Sequence, residues 1–242
     1  HTATHLLHAA LREVLGDHVA QQGSYVGPDR LRFDFANPRG VAQDELEAVE
    51  SLVNRTVFAN HSVESQVEEL AAAKARGVTA LFGEKYDERV RVVDVGGWST
   101  ELCGGTHVAA SGDIGPFVIL SERAIQAGVR RIEAVCGEAA LIEIQAQRRK
   151  LREASDRLKV SPDELVERIG SLQDQVKAAK SAKRSQSKGD VEGALEKVKA
   201  GLVDAGGVQW GVVRLDGLDM QGLRDLSGRV KSLSADLAVA LV

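Results

Sequence analysis

Two short stretches carry side chains that together could bind a metal ion. In ELCGGTHV, Glu101 to Val108, Cys103 stands four residues before His107 with two glycines and a threonine between them. A loop built on glycine folds back readily, so a thiolate and an imidazole at this spacing can reach one point. The chain opens on a second pattern, HTATHLLH, which puts His1, His5 and His8 within about two turns of a helix. His1 and His5 are then i and i+4, about 6 Å apart at Cβ on one face, and His8 lies on nearly the same face.

Three imidazoles and one thiolate form a soft to borderline donor set that suits zinc better than magnesium or calcium. The residue after His1 is Thr2, so the general base of the HExxH metalloproteases is absent. The two stretches are far apart in the chain. A shared site would therefore tie the opening helix to the glycine loop, unlike a local zinc finger. Each half also has a plain reading: histidines four apart occur in helices that bind nothing, and Cys103 alone reads as a buried thiol.

Periodicity outlines the elements that must position these groups. Ala3 to Leu15 reads as a helix, with Leu6, Leu7, Leu11, Val14 and Leu15 at helical spacing and a stop at Gly16. VAQQGSYV and RLRFDFA flank a GPD turn and read as a hairpin. A second amphipathic helix follows Asp44, with Leu46, Val49, Val53 and Val57 on one face. Strands are expected at 63–67, 90–95, 117–121 and 128–135, with a short helix over 70–75. Phe33 and Phe35 alternate in a strand and read as core or as base-stacking platforms. Arg130 and Arg131, on an expected strand edge, are either solvated or in contact with a nucleic-acid backbone. Cys136 reads as a buried structural thiol, and His18 and His61 as surface residues.

The fold class is thus α+β: a domain over 1–137 that holds both candidate metal-ligand stretches, a long helical hairpin over 138–189, and a partial small α/β domain over 190–242. The two helices of the hairpin are expected to join near Lys159, where SPDEL supplies Ser161 as N-cap, Pro162 and Glu164 of a capping box. The polar stretch SQSKGD reads as a break before a helix at 191–203, a strand at 209–215, a helix at 220–233 and a strand at 238–242. Basic residues cluster at Arg148, Arg149 and neighbours, and at Lys180, Lys183 and Arg184, so the helical segment either lies along phosphates or is a solvated arm.

A 43% hydrophobic and 27% charged composition excludes wholesale disorder. No apolar run approaches the roughly 18 residues that span a bilayer, and no signal-type segment is seen, so a cytoplasmic protein with no membrane partner is expected. Two cysteines in 242 residues fit a reducing compartment. The net charge of -4 leaves a local basic face open. Opening inside a metal-ligand motif and stopping on an apolar strand, the chain reads as part of something longer.

HTATHLLHAAL and CGGTHV, with QQGSYV, LRFDF and ALFGEKY between them, resemble the editing domain of alanyl-tRNA synthetases, which also occurs in free-standing alanyl-tRNA editing proteins. The resemblance implies hydrolysis of alanine tRNA mischarged with serine or glycine. Position by position it puts one Zn2+ on His1, His5, Cys103 and His107, and a glutamine of the editing pocket on Gln21. Thr4 becomes a candidate partner for the serine hydroxyl, or else a helix residue bonded to its own backbone. ATP and Mg2+ belong to a ligase domain that these residues do not contain. The last domain resembles only the start of the family's C-terminal domain, which leaves its roles in tRNA binding and homodimer contacts open.

Hydrolysis of an aminoacyl ester needs an activated water and donors for the developing oxyanion. The amides of Gly96, Gly97, Gly104 and Gly105 could cradle that oxyanion or a phosphate, or these glycines simply make turns. Gln21 could orient a water but is too weak a base to deprotonate it. Four protein ligands would make the metal structural, whereas an open position would make it catalytic. The competing function is a noncatalytic, zinc-stapled tRNA-binding module.

Overall fold

The computed structural model describes residues 1–80, 86–233 and 237–241. Most of the ALFGEKY stretch therefore lies outside the described residues. The chain divides into two compact units, His1–Leu151 and Arg152–Val242. Both mix helix and sheet.

In the first unit, helix α1 (Thr2–Leu15) is followed by the antiparallel hairpin β1 (Gln21–Val26) and β2 (Leu31–Ala36), then by helix α2 (Gln43–Ala59). Strand β3 (Val63–Glu69), helix α3 (Leu70–Ala75), and strands β4 (Arg89–Val95) and β5 (Ser99–Leu102) come next. Strands β6 (Phe117–Gln126) and β7 (Val129–Cys136) lead into helix α4 (Glu138–Leu158). One sheet has the order β1-β2-β7-β6 and another β3-β4-β5, all antiparallel.

The apolar stripe of α1 and that of α2 share one core with the first sheet. Leu6, Leu7 and Leu11 of α1 and Val49 and Val53 of α2 are fully buried with Phe33, Phe35 and Ile132 of the strands. Full burial of each such side chain contributes about 1.5–3 kcal/mol. Phe33 and Phe35 are therefore core, stacked on each other at 6.0 Å, and no platform for bases. Helix α2 begins one residue before Asp44. Its first turn is held by Glu45, which accepts from the Ala42 amide at 2.9 Å and takes both terminal nitrogens of Arg39.

Strand β7 lies between β2 and β6, not at an edge. Arg131 forks onto Asp34 of β2 at 2.6 and 2.7 Å, and Arg130 onto Glu122 of β6. Both guanidinium groups are thus spent inside the sheet. A second, smaller core of Ala73, Val78, Val90, Val92 and Leu102 joins α3 to the β3-β4-β5 sheet.

Helix α4 ends where expected. Lys159 takes a left-handed conformation (φ 54°), with its amide bonded to Asp156 and that of Val160 to Ser155, the pattern of a Schellman cap. A turn of 3-10 helix at Pro162–Glu164 opens helix α5 (Leu165–Ala200). Helix α5 runs straight through SQSKGD, where a break was expected. These side chains are mostly exposed, and a lone Gly189 costs a helix only about 1 kcal/mol. The second unit closes with strands β8 (Val203–Ala205) and β9 (Val208–Val213), helix α6 (Met220–Lys231) and strand β10 (Leu237–Leu241). Strand β10 pairs parallel with β9 across the α6 connection, the βαβ unit anticipated. Among the described residues no helix is long and apolar enough to cross a membrane.

Candidate metal centre

Strand β5 runs out at Leu102 and delivers Cys103 to the start of the glycine loop, whose course is fixed from three sides. The Cys103 amide bonds to the Arg91 carbonyl, the Arg91 guanidinium to the Gly105 carbonyl, and the Gly105 amide to Cys103 Sγ at 3.4 Å. This turn carries His107 back to the thiol, with Nε2 3.3 Å from Sγ. His1, at the N-cap of α1, brings Nδ1 to 3.7 Å from the same sulfur. Ligand atoms of His1, Cys103 and His107 all lie within 4.8 Å of one another.

Zn–S and Zn–N bonds of about 2.3 and 2.0–2.1 Å at a tetrahedral angle would set nitrogen and sulfur about 3.5 Å apart. The observed 3.3 and 3.7 Å bracket that separation. The donor set and its spacing fit a zinc ion. His5 stands outside the trio. Its ring centre is 4.8 Å from that of His107, edge to face, and its Nδ1 is buried without a hydrogen-bond partner.

Neutral imidazoles are what a metal requires. Burial, helped by His5, pushes His107 down to about 4, and burial likewise lowers His5 against the pull of Glu101. Thr2, 2% exposed, sits beneath His107: its Oγ1 lies 2.9 Å from His107 Nδ1 and accepts from the Val108 amide at 3.3 Å. With Nδ1 turned to Thr2, Nε2 faces the sulfur.

Two cavities flank the trio. One of about 80 Å³ is bounded by His1, Thr4, the β1–β2 turn and Cys136. The other, about 340 Å³, is bounded by Thr2, Thr106, His107, Asp113 and, again, His1 and Cys136. Thr4 is 5% exposed and its Oγ1 has no hydrogen-bond partner, so it is not bonded to its own helix. A larger cavity of about 530 Å³ lies between α2 and β6, away from these groups. Its three carboxylates already have partners, Glu47 in Gln43, Glu50 in the Ile119 amide and Glu122 in Arg130.

Residues 90–133, which include Cys103 and His107, match the family model described as "Threonyl and Alanyl tRNA synthetase second additional domain". Over 241 residues the chain is 47% identical to the alanine–tRNA ligase of Xanthomonas campestris pv. campestris (strain 8004), covering 100% of this chain and 27% of that protein. The corresponding ligases of Xanthomonas euvesicatoria pv. vesicatoria (strain 85-10) and Xanthomonas oryzae pv. oryzae (strain PXO99A) are 47% and 46% identical with the same coverage. The chain is a relative of the alanine–tRNA ligases. It spans about a quarter of their length.

In this alanine–tRNA ligase relative, the other expected site residues are dispersed. Gln21 opens β1 and its amide donates to Ser24 at 3.1 Å; it lines neither flanking cavity. Gly96 and Gly97 form the β4–β5 turn with φ 58° and 72°, at the opposite end of β5 from Cys103, and the turn accounts for both glycines. Gly104 and Gly105 are in the loop between Cys103 and His107. Arg148 and Arg149 are exposed on α4, and Lys180 and Lys183 on α5; the Arg184 side chain lies outside the described residues. Cys136 is half-buried, its thiol pushed up by burial, on the wall common to both cavities. Thr2 and Glu101 were not anticipated. Glu101 is a buried carboxylate on β5, and only the alternation that puts it on one face with Cys103 hinted at it.

Proposed function

We propose that this chain hydrolyses the ester of alanine tRNA mischarged with serine or glycine, through a zinc-containing editing centre in residues 1–137. The observation that carries the reading is the convergence of His1, Cys103 and His107 beside a small cavity walled by the unpaired hydroxyl of Thr4. When bound by His1, Cys103 and His107, with His5 adjacent, zinc would supply Lewis acidity next to the scissile ester.

The chain's own residues account for selection. A cavity of about 80 Å³ has room for two or three water-sized groups of roughly 30 Å³ each, which suits a hydroxymethyl side chain. A serine hydroxyl would pair with Thr4 Oγ1, whereas alanine would leave that buried oxygen unsatisfied, a difference of about 1–3 kcal/mol. Glycine also fits the cavity but, like alanine, offers Thr4 no hydroxyl, so Thr4 accounts for the selection of serine alone. Gly104 leaves its backbone open on the side where a side chain would stand, and its amide is the donor we assign to the developing oxyanion. The resemblance alone places Gln21 in the editing pocket, where its amide could orient water once it releases Ser24. The helical segment 138–189 would hold tRNA through Arg148, Arg149, Lys180, Lys183 and Arg184.

The decisive test is deacylation of serine-charged alanine tRNA, with alanine-charged tRNA as control and zinc determined on the same sample. Selective hydrolysis with about one zinc per chain is expected for a single three- or four-ligand site. A zinc-loaded chain that binds the tRNA and leaves the ester intact would overturn the reading in favour of a binding module.

A further inference from the structure

Behind the candidate metal cluster stands a carboxylate that no Lys or Arg among the described residues pairs with. Glu101 is 5% exposed, and its ion-pair partners among the described residues are two histidines of α1. Its Oε1 lies 3.0 Å from His8 Nδ1 and 3.5 Å from Ser99 Oγ, while Oε2 lies 3.9 Å from His5 Nδ1. A carboxylate withdrawn from water at this depth needs donors for both oxygens. His8 and Ser99 serve one. The other oxygen stands 3.9 Å from His5 Nδ1, a buried nitrogen without a hydrogen-bond partner.

The unpartnered nitrogen and the carboxylate oxygen are complementary, a donor site facing an acceptor. A distance of 3.9 Å is beyond hydrogen bonding, but a shift of about 1 Å would close it. The His5 ring presents Nδ1 to Glu101 and lies edge to face with His107, 4.8 Å between ring centres. A carboxylate accepts and cannot donate, so it favours the tautomer with the proton on Nδ1 and the lone pair on Nε2. Metal-bound histidines commonly have such a carboxylate on the second nitrogen.

We propose that Glu101 is a positioning residue of the metal centre: it fixes the His5 tautomer and orientation so that His5 can join His1, Cys103 and His107 as a ligand. The inference rests on the zinc reading above. It adds that β5 and the residue that follows it contribute two functional side chains, Glu101 of the strand through His5 and Cys103 just past its end directly.

The test uses the full chain. Long-range proton–nitrogen correlation spectra of the metal-free and zinc-loaded protein read the His5 tautomer, and chelator competition gives the zinc dissociation constant for the parent and Glu101→Gln. The expected results are a proton on His5 Nδ1 in the parent and zinc binding weakened by roughly 10–100-fold in Glu101→Gln, with mixed His5 tautomers. A parent His5 protonated on Nε2, or a folded Glu101→Gln that holds zinc as tightly as the parent, would overturn the inference and leave Glu101 as a partner of His8. If Glu101→Gln fails to fold, the parent tautomer decides alone. A parent that binds no zinc sinks the metal reading itself, a failure visible before any variant is made.

Discussion

Thr2 Oγ1 and His107 Nδ1 are 2.9 Å apart, so the first residue of the opening helix orients the imidazole that ends the CGGTH loop. The same hydroxyl accepts from the Val108 amide, clamping the loop to α1 just past His107. Thr2→Val keeps the shape and removes both bonds. Zinc affinity measured by chelator competition is expected to fall by roughly 10–100-fold, the usual effect of losing an outer partner of a ligating histidine. Unchanged affinity would mean that packing alone holds the ring.

The loop glycines make a sharper comparison. A Cβ on Gly105 would stand 2.1 Å from His1 Nδ1, whereas one on Gly104 would meet nothing within 4 Å. Gly105→Ala should therefore displace His1 and weaken zinc binding by more than tenfold while Gly104→Ala retains it. Because His1 is exposed, the melting temperature of the metal-free protein should change little in either variant. Equal zinc affinity in both would remove His1 from the ligand set.

Thr4→Val separates stability from selection. The buried hydroxyl has no partner, and such a group costs about 1–3 kcal/mol, so its loss should leave stability equal or raised by up to about 1 kcal/mol in urea unfolding. Deacylation of serine-charged tRNA should fall at least tenfold, with the glycine ester much less affected. A parallel loss on both esters would show that Thr4 shapes the pocket rather than reads the hydroxyl.

The sequence revealed helices and apolar strands well because their cores are apolar: α1, α2, β2 and β7 announce themselves through leucine, valine and phenylalanine spacing. Strand β5 did not, since its buried positions include Ser99 and Glu101, whose burial depends on histidines of α1 nearly the whole domain away in sequence. The three-residue β8 is too short to show a period, and the polar face of α5 at SQSKGD reads like a linker until the helix on either side is seen. At the candidate metal centre the motif spacing pointed to Cys103 and His107, and the opening helix to His1 and His5, of which the structure brings only His1 into the cluster with Cys103 and His107. The spacing could not reveal that His5 faces a carboxylate, nor that Thr2 lies under His107, because both are tertiary contacts between residues whose types are unremarkable in isolation.

The cap of α2 predicts a pH dependence. The Arg39 hydrogen bond, then the Ala42 amide, hold Glu45 down at about 2 against an ordinary 4.5. A carboxyl depressed on folding stabilises the fold fully above its unfolded value, and that stabilisation is lost as pH falls through the folded value. The stability gap between the parent and Glu45→Gln should thus be full at pH 7, begin to shrink below about 4.5 and be gone near 2. Urea unfolding of both proteins across this window checks it; a gap independent of pH would assign the loss to altered packing.

The basic residues of α5 bear on the partner. Lys180 and Lys183 are exposed, so Lys180→Gln with Lys183→Gln should barely alter stability. If they lie on tRNA phosphates, each releases counterions on binding, and the slope of log affinity against log salt should flatten by roughly one per lysine. Because phosphate contacts carry no sequence information, affinity should fall by a similar factor for alanine tRNA and for an unrelated tRNA. An unchanged slope in filter-binding titrations would return this stretch of α5 to a solvated arm and leave Arg148 and Arg149 of α4 to carry the phosphate contacts.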